Sequence, residues 1–187
     1  VRFSAYGEME SQNYLTLNMN GFASTGASTS SGEVVAGATW NFINMSANIR
    51  YGEVTAEATV PVAHSIDIPY AGCNIMGGIT RIGSTHAIAA TYFDLLESKA
   101  HLSLFFQNGT NPAYRVDVAQ PMPVADLNNT SCYAFYEVYN ISAMSDGRAL
   151  VLYGRNGTAK SASFVSPNGE TATIDFSTEL TDLTPIA

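Results

Sequence analysis

The sequence predicts an all-β fold, a single antiparallel β-sandwich of jelly-roll-like form that spans 1–187 and ends in a β-meander. Apolar and polar residues alternate over many short segments, as they do in strands with one buried face. Residue pairs that accept the positive φ angles of tight turns separate the last segments: Asp146-Gly147, Asn156-Gly157 and Asn168-Gly169. Helical spacing is scarce, and the crossover helices of an α/β fold are missing. We therefore expect about ten short strands in one domain.

Three segments of the N-terminal half alternate as strands do: 13–18, 34–42 and 49–60. In the second, Trp40 lies on the same side as the small apolar residues that precede it, which suits either a core position or a platform for a ligand. The segment 20–33 is too rich in Gly, Ser and Thr to pack as a strand. We predict a flexible surface loop there.

The C-terminal half carries the clearest strand signals. The segments 102–106 and 114–118 are expected to pair across a turn, and four further strands are expected to form the meander: 131–141, 148–153, 159–165 and 171–177. In the last of them, Ala172, Ile174 and Phe176 alternate with polar residues. That pattern predicts a half-buried strand with its polar side facing water.

Composition and charge exclude several classes of function. The net charge is −8 and the chain has two lysines, Lys99 and Lys160, whereas binding to nucleic acid or to an anionic membrane surface requires clustered cations. The hydrophobic fraction of 46% is too high for a disordered chain. No apolar run reaches the roughly 18 residues of a membrane span. We expect a soluble, folded domain.

Cysteines and asparagines offer sites for covalent modification. Cys73 and Cys132 could form one disulfide or remain two separate buried thiols. Asn-x-Ser/Thr sequons, which would fit a glycosylated secreted or surface protein, occur at Asn44, Asn108, Asn128, Asn129, Asn140 and Asn156. Since the chain begins at Val1 and shows no signal-peptide pattern, we expect a fragment or a processed product.

No cluster of residues indicates catalysis. His64, His86 and His101 stand alone and form neither of the paired motifs that place two ligands on one metal ion. A Gly-x-Ser-x-Gly turn, a phosphate-binding glycine loop and a calcium-binding loop are also missing. The sequence therefore predicts no catalytic residue, no metal site and no cofactor.

Aromatic residues occur on both sides of the segment 132–139. A sheet in a two-layer sandwich needs one apolar face, so the second face must be covered by another strand layer, a neighbouring subunit or a ligand. We predict a subunit interface that contains Tyr133, Phe135 and Tyr139.

The Gly-punctuated meander over 131–177, together with the segment Ile49-Arg50-Tyr51-Gly52-Glu53-Val54, resembles the β-sandwich head domains of bacteriophage tail fibres, baseplate receptor-binding proteins and virus capsid spikes. The resemblance covers about a third of the chain and transfers no residue position by position. It implies a homo-oligomer, with a trimer favoured, on a virion surface or in an extracellular location. The implied partners are other virion proteins and a host glycan or protein receptor.

Three hypotheses for function follow. The first is a non-enzymatic virion structural protein, a spike or fibre head that attaches to a host or decorates a capsid. The alternative is a secreted carbohydrate-binding module or lectin that uses Trp40 or exposed tyrosines as sugar platforms. The third is a β-sandwich hydrolase, which requires His64 or His86 beside a carboxylate in a cleft.

Overall fold

The computed structural model describes the backbone of residues 2–3, 9–11, 24–28, 34–41, 45–53, 63–108, 113–123, 136–155 and 159–176. Side chains are described for 45–52, 64–72, 77–108, 113–123, 136–155 and 160–176. Every regular element in these ranges is a strand: β1 (Arg2–Phe3), β2 (Met9–Ser11), β3 (Ser24–Ser28), β4 (Val34–Asn41), β5 (Ser46–Glu53), β6 (Ala63–Pro69), β7 (Ala71–Ile82), β8 (Thr85–Asp94), β9 (Lys99–Gln107), β10 (Tyr114–Asp117), β11 (Met122–Pro123), β12 (Tyr136–Ala143), β13 (Ala149–Arg155), β14 (Ala159–Val165) and β15 (Thr171–Phe176). The predicted all-β class is confirmed.

The strands form three main sheets and one small pair, all antiparallel. The first sheet has the order β3-β4-β5-β6, the central sheet β10-β9-β8-β7 and the last sheet β12-β13-β14-β15, while β1 pairs with β2 and β11 pairs with β9. The predicted C-terminal meander is confirmed. The jelly-roll-like detail is not confirmed, because neighbours in each main path are neighbours in sequence, whereas a jelly roll is built from Greek keys.

The central sheet is buried on both faces. Its side toward the first sheet belongs to one hydrophobic core, which contains Ile88 and Tyr92 of β8 and Ile49 of β5. Its other side belongs to a second core, in which Leu104 of β9 packs with Val151 of β13. Since successive side chains of a strand point to opposite faces, β8 and β9 supply apolar residues to both cores. The described part of the chain therefore stacks three sheets.

Strand β7 links the layers. It contacts β3, β4 and β5 of the first sheet and β12 of the last sheet. Gly77 permits the contact between β7 and β12, since a Cβ atom at this position would stand 2.5 Å from the Cβ atom of Val138 on β12. Without side-chain bulk at this point, β12 approaches the backbone of β7 directly.

Part of the predicted flexible loop 20–33 is a strand, which corrects the sequence-based expectation. Ser24–Ser28 form β3 and pair with β4, where Gly26 stands opposite Gly37. The hydrogen bonds of a ladder come from the backbone, so a segment with small polar side chains can still add a strand to the edge of a sheet. The remaining residues of 20–33 lie outside the described part of the chain.

Two predicted turns are also present. Gly147 and Gly169 have φ angles of 86° and 96° and connect β12 to β13 and β14 to β15. The third predicted turn, at Asn156-Gly157, lies outside the described residues. The described ranges contain no helix of the length and hydrophobicity needed to cross a membrane.

Candidate functional site

Polar side chains of the central sheet concentrate on its side toward the first sheet, where β8, β9 and β10 lie together. Register places them there, since Tyr92 is opposite His101 and Ser103 is opposite Asp117. Arg115 lies two residues before Asp117 and therefore on the same side of β10. We call these five residues the polar cluster.

Direct contacts hold the polar cluster together. The Ser103 hydroxyl donates to Asp117 Oδ1 at 2.6 Å, and Arg115 Nη1 donates to the Tyr92 hydroxyl at 2.7 Å. The His101 ring stacks on the Tyr92 ring with a centroid distance of 5.2 Å and an interplanar angle of 8°. Its Nδ1 lies 3.5 Å from Asp117 Oδ2. The cluster thus fixes both the position and the ring plane of a buried histidine.

The electrostatics of the cluster favour an ionised carboxylate and a neutral phenol. Burial would raise the pKa of Asp117, but interactions with His101, Ser103 and Arg115 outweigh burial and hold that pKa below its usual value. Burial raises the pKa of Tyr92, opposed by the Ser103 hydroxyl and the Arg115 charge. Asp117 is therefore an anion at neutral pH.

This geometry differs from that of a catalytic triad. In a triad the serine hydroxyl donates to an imidazole, which in turn donates to a carboxylate. Here the Ser103 hydroxyl donates to Asp117 itself. Because its pKa is lowered, that carboxylate is a poor base for activating a hydroxyl. The cluster is better suited to positioning His101.

The two histidines named by the hydrolase hypothesis lie in a different place. His64 stacks on the Tyr51 ring at a centroid distance of 4.8 Å, and His86 lies 5.1 Å from the same ring. Tyr51 belongs to the core between the first and central sheets. The histidine that the structure places between carboxylates is His101, which that hypothesis did not name.

On the side of the last sheet that faces away from the central sheet, β13, β14 and β15 carry apolar residues, and we call this surface the outer face. None of its members belongs to either core cluster: Leu150, Leu152, Ala162, Phe164, Ala172, Ile174 and Phe176. Ile174 is 51% exposed. An apolar surface of this kind on the outside of a sheet is typical of an interaction site.

The alternation predicted for β15 is present, but the strand is not half-buried as expected, because every residue of 171–175 is exposed and Phe176 alone is partly buried. The polar residues of β15 point inward, where Thr173 Oγ1 lies 2.8 Å from Ser163 Oγ and Asp175 Oδ1 accepts from Ser161 Oγ at 2.6 Å. Thr173 and Asp175 remain exposed while they make these hydrogen bonds, so they carry little desolvation penalty on the inner side. The apolar side of β15 therefore faces outward.

Charged residues of both signs lie at the rim of the outer face. Arg148 lies over the Phe164 ring at 4.9 Å and forms an ion pair with Asp146 at 2.6 Å. Lys160 lies 5.8 Å from the centroid of the Tyr139 ring. The Tyr139 hydroxyl donates to Glu137 Oε2 at 2.8 Å. Two cations and two anions thus border the apolar surface.

Of the three predicted interface residues, Tyr139 is described. It lies at a β-bulge between Val138 and Asn140, is 53% exposed, and covers Gly154 on the outer face. Tyr133 and Phe135 lie outside the described residues. The interface role of all three stays a prediction.

The predicted modification sites are partly described. Asn108 and Asn140 are exposed, and Asn108 Nδ2 donates to Ser84 Oγ at 3.3 Å. The sequons at Asn44, Asn128, Asn129 and Asn156 lie outside the described residues. Cys132 also lies outside the described residues, as do the side chains of Cys73 and Trp40. The disulfide and the lectin hypothesis therefore stay predictions.

No family model matches the chain, and comparisons with curated proteins and with solved structures found no match. Sequence reasoning missed the pairing of His101 with Asp117, because residues sixteen positions apart meet only through strand register. A usable local signal was the spacing of Asp94, Glu97 and His101 around one hairpin.

Proposed function

We propose that this chain is a non-enzymatic structural module of a virion surface, a spike or fibre head that assembles with copies of itself. The outer face is the observation that carries the proposal. Its apolar side chains point away from both cores, and Ile174 is 51% exposed. The viral assignment, with attachment to a host or decoration of a capsid, follows from the resemblance of the meander to such modules.

The size of the outer face supports a protein contact. Three strands about 4.8 Å apart, each contributing about six residues with a rise of about 3.4 Å, cover roughly 300 Å². Patches of roughly 300–600 Å² are the largest that monomeric proteins usually expose, and they are often functional. Two such surfaces together would bury about 600 Å², which by itself fits a weak association.

The distribution of charge favours a second copy as the occupant. Copies with a net charge of −8 repel one another in most orientations. Near the outer face the charges are more nearly balanced, with Glu137, Asp146 and Glu170 against Arg148 and Lys160. An orientation that joins two outer faces therefore costs less electrostatic energy than one that joins acidic surfaces, and added salt should strengthen it by screening the remaining repulsion.

The oligomeric state of the whole chain tests the proposal. Light scattering and native mass measurement between 1 and about 100 µM should detect an oligomer whose population rises with salt. Ile174→Lys places a charge on the outer face and should weaken association at least about tenfold. The control is Leu96→Lys, the same replacement at a residue that is 71% exposed in the hairpin between β8 and β9. It should leave association unchanged.

The proposal fails if the wild-type chain stays monomeric throughout this range, or if both lysine variants associate as the wild type does. The measured mass also separates a dimer from the trimer that the resemblance implies. Both replaced side chains are exposed, so neither variant should lose stability.

A further inference from the structure

The hairpin between β8 and β9 brings a carboxylate-rich turn next to a buried histidine. Asp94 Oδ1 accepts hydrogen bonds from the backbone N–H groups of Leu96 at 2.8 Å and Glu97 at 2.9 Å. This Asx-type turn fixes the backbone that carries Glu97. As a result, Glu97 Oε2 lies 3.7 Å from His101 Nε2.

His101 is buried without satisfied nitrogen atoms. Its side chain is 1% exposed, and within the described residues neither Nδ1 nor Nε2 makes a hydrogen bond. The ring is held by stacking on Tyr92, with Nδ1 directed at Asp117 and Nε2 at Glu97. Buried polar atoms usually have a partner, so Nε2 calls for a ligand from outside the described chain.

We propose that Asp94, Glu97 and His101 bind one divalent transition-metal ion, with Asp117 as a positioning residue. Each of the three offers one ligand atom, and these atoms lie within 4.8 Å of one another. Donors around a tetrahedral ion at about 2.0–2.2 Å stand about 3.4 Å apart, so no pair of these ligand atoms has to approach by more than about 1.4 Å. This site departs from the sequence-based expectation of no metal.

The chemistry of the donors indicates the class of ion. An imidazole with two carboxylates suits Zn²⁺ and neighbouring transition metals, whereas Ca²⁺ and Mg²⁺ prefer oxygen ligands alone. A carboxylate beside the second imidazole nitrogen is the usual support of a metal-binding histidine, and Asp117 stands there, 3.5 Å from Nδ1. Three protein ligands leave a coordination position for water.

One neighbouring group opposes binding. Lys99 Nζ lies 3.4 Å from Glu97 Oε2 and would repel a cation at the site. Lys99 is 43% exposed, so its flexible side chain can swing into solvent when the ion enters. Lys99→Met should therefore strengthen Zn²⁺ binding.

Calorimetric titration of the chelator-treated whole chain with ZnCl₂ tests the site. The wild type should bind one Zn²⁺ ion per chain, and Glu97→Gln and Asp94→Asn should each weaken binding at least about tenfold. Asp117→Asn should weaken it by about 10- to 100-fold, as expected for a residue that orients a ligand. The control, Glu170→Gln, removes an exposed carboxylate from the turn between β14 and β15 and should bind as the wild type does.

Co²⁺ provides a second readout that does not depend on folding stability. The wild type should show the visible absorption of a low-symmetry Co²⁺ site, and Glu97→Gln should lose it while keeping the wild-type circular dichroism. The proposal is wrong if no stoichiometric ion binds, or if Glu97→Gln and Glu170→Gln bind equally well.

Discussion

Tyr136 shows how burial at one residue alters the pH dependence of the whole molecule. Its side chain is 4% exposed in the second core, and its hydroxyl donates to the Gln120 carbonyl oxygen at 2.7 Å. Burial, opposed by the Arg155 charge, raises the pKa of Tyr136 to about 12. The phenol therefore stays neutral in the folded chain at a pH where it ionises in the unfolded chain.

This shift predicts a loss of stability at alkaline pH. The pKa of Tyr136 in the folded chain lies above its value near 10 in the unfolded chain. The contribution of Tyr136 to the free energy of unfolding is therefore complete below pH 10 and disappears between pH 10 and about 12. Two pKa units correspond to at most about 2.7 kcal/mol. Urea unfolding of the wild type at several pH values should show this decline, and Tyr136→Phe should flatten it.

The stability of Tyr136→Phe at pH 7 gives the internal control, since it measures the lost hydrogen bond to Gln120 alone, about 1 kcal/mol. An equally steep alkaline decline in both proteins would show that other groups control it.

At the scale of elements, Gly77 controls the contact between β7 and β12. A methyl group at this position would overlap Val138, with 2.5 Å between the two Cβ atoms. Gly77→Ala should therefore destabilise the protein by about 1–3 kcal/mol or more, because β12 must move away from β7. Chemical unfolding monitored by circular dichroism measures the change.

Gly72→Ala on the same strand is the matched control. Its new Cβ atom would lie 3.3 Å from the end of the Leu95 side chain, which is 37% exposed and can move. We expect a free energy of unfolding within about 0.5 kcal/mol of the wild type. Equal losses for the two variants would mean that close approach to β12 is not the reason for Gly77.

The strands of the last sheet were predictable because their signals are local. Alternation and the turn pairs around Gly147 and Gly169 lie within the segments themselves. Which side of β15 faces inward was not predictable from the residues of β15 alone, since alternation defines two sides but does not say which one faces the central sheet. The partners Ser161 and Ser163 decide it by satisfying Asp175 and Thr173. The polar cluster depends in the same way on the register of three strands.

At the scale of the whole molecule, stacking three sheets leaves each outer sheet with one face that the stack does not cover. The central sheet satisfies its two apolar faces within the chain. Aromatic residues on both sides of 132–139 predicted a shielded second face, covered by another strand layer, a neighbouring subunit or a ligand. The third layer exists for the central sheet, and a neighbouring subunit remains our proposal for the outer face of the last sheet.

The sequon at Asn140 provides an independent test of that proposal. Asn140 is exposed on β12 and stands opposite Leu152, so its side chain borders the outer face. A glycan there would keep a second copy away, because its volume cannot fit between two packed sheets about 10 Å apart. We expect the Asn140-glycosylated fraction from a secreting eukaryotic host to be monomeric at a concentration where the unglycosylated chain associates.

Native mass measurement after enrichment of the glycosylated fraction gives both the occupancy and the oligomeric state. Asn140→Gln should restore association in the same host. Asn108→Gln, at an exposed sequon just after β9, should remove a glycan but should not restore association. Association of chains that carry a glycan on Asn140 would show that copies meet elsewhere, and the apolar residues around Ile174 would then require a different partner.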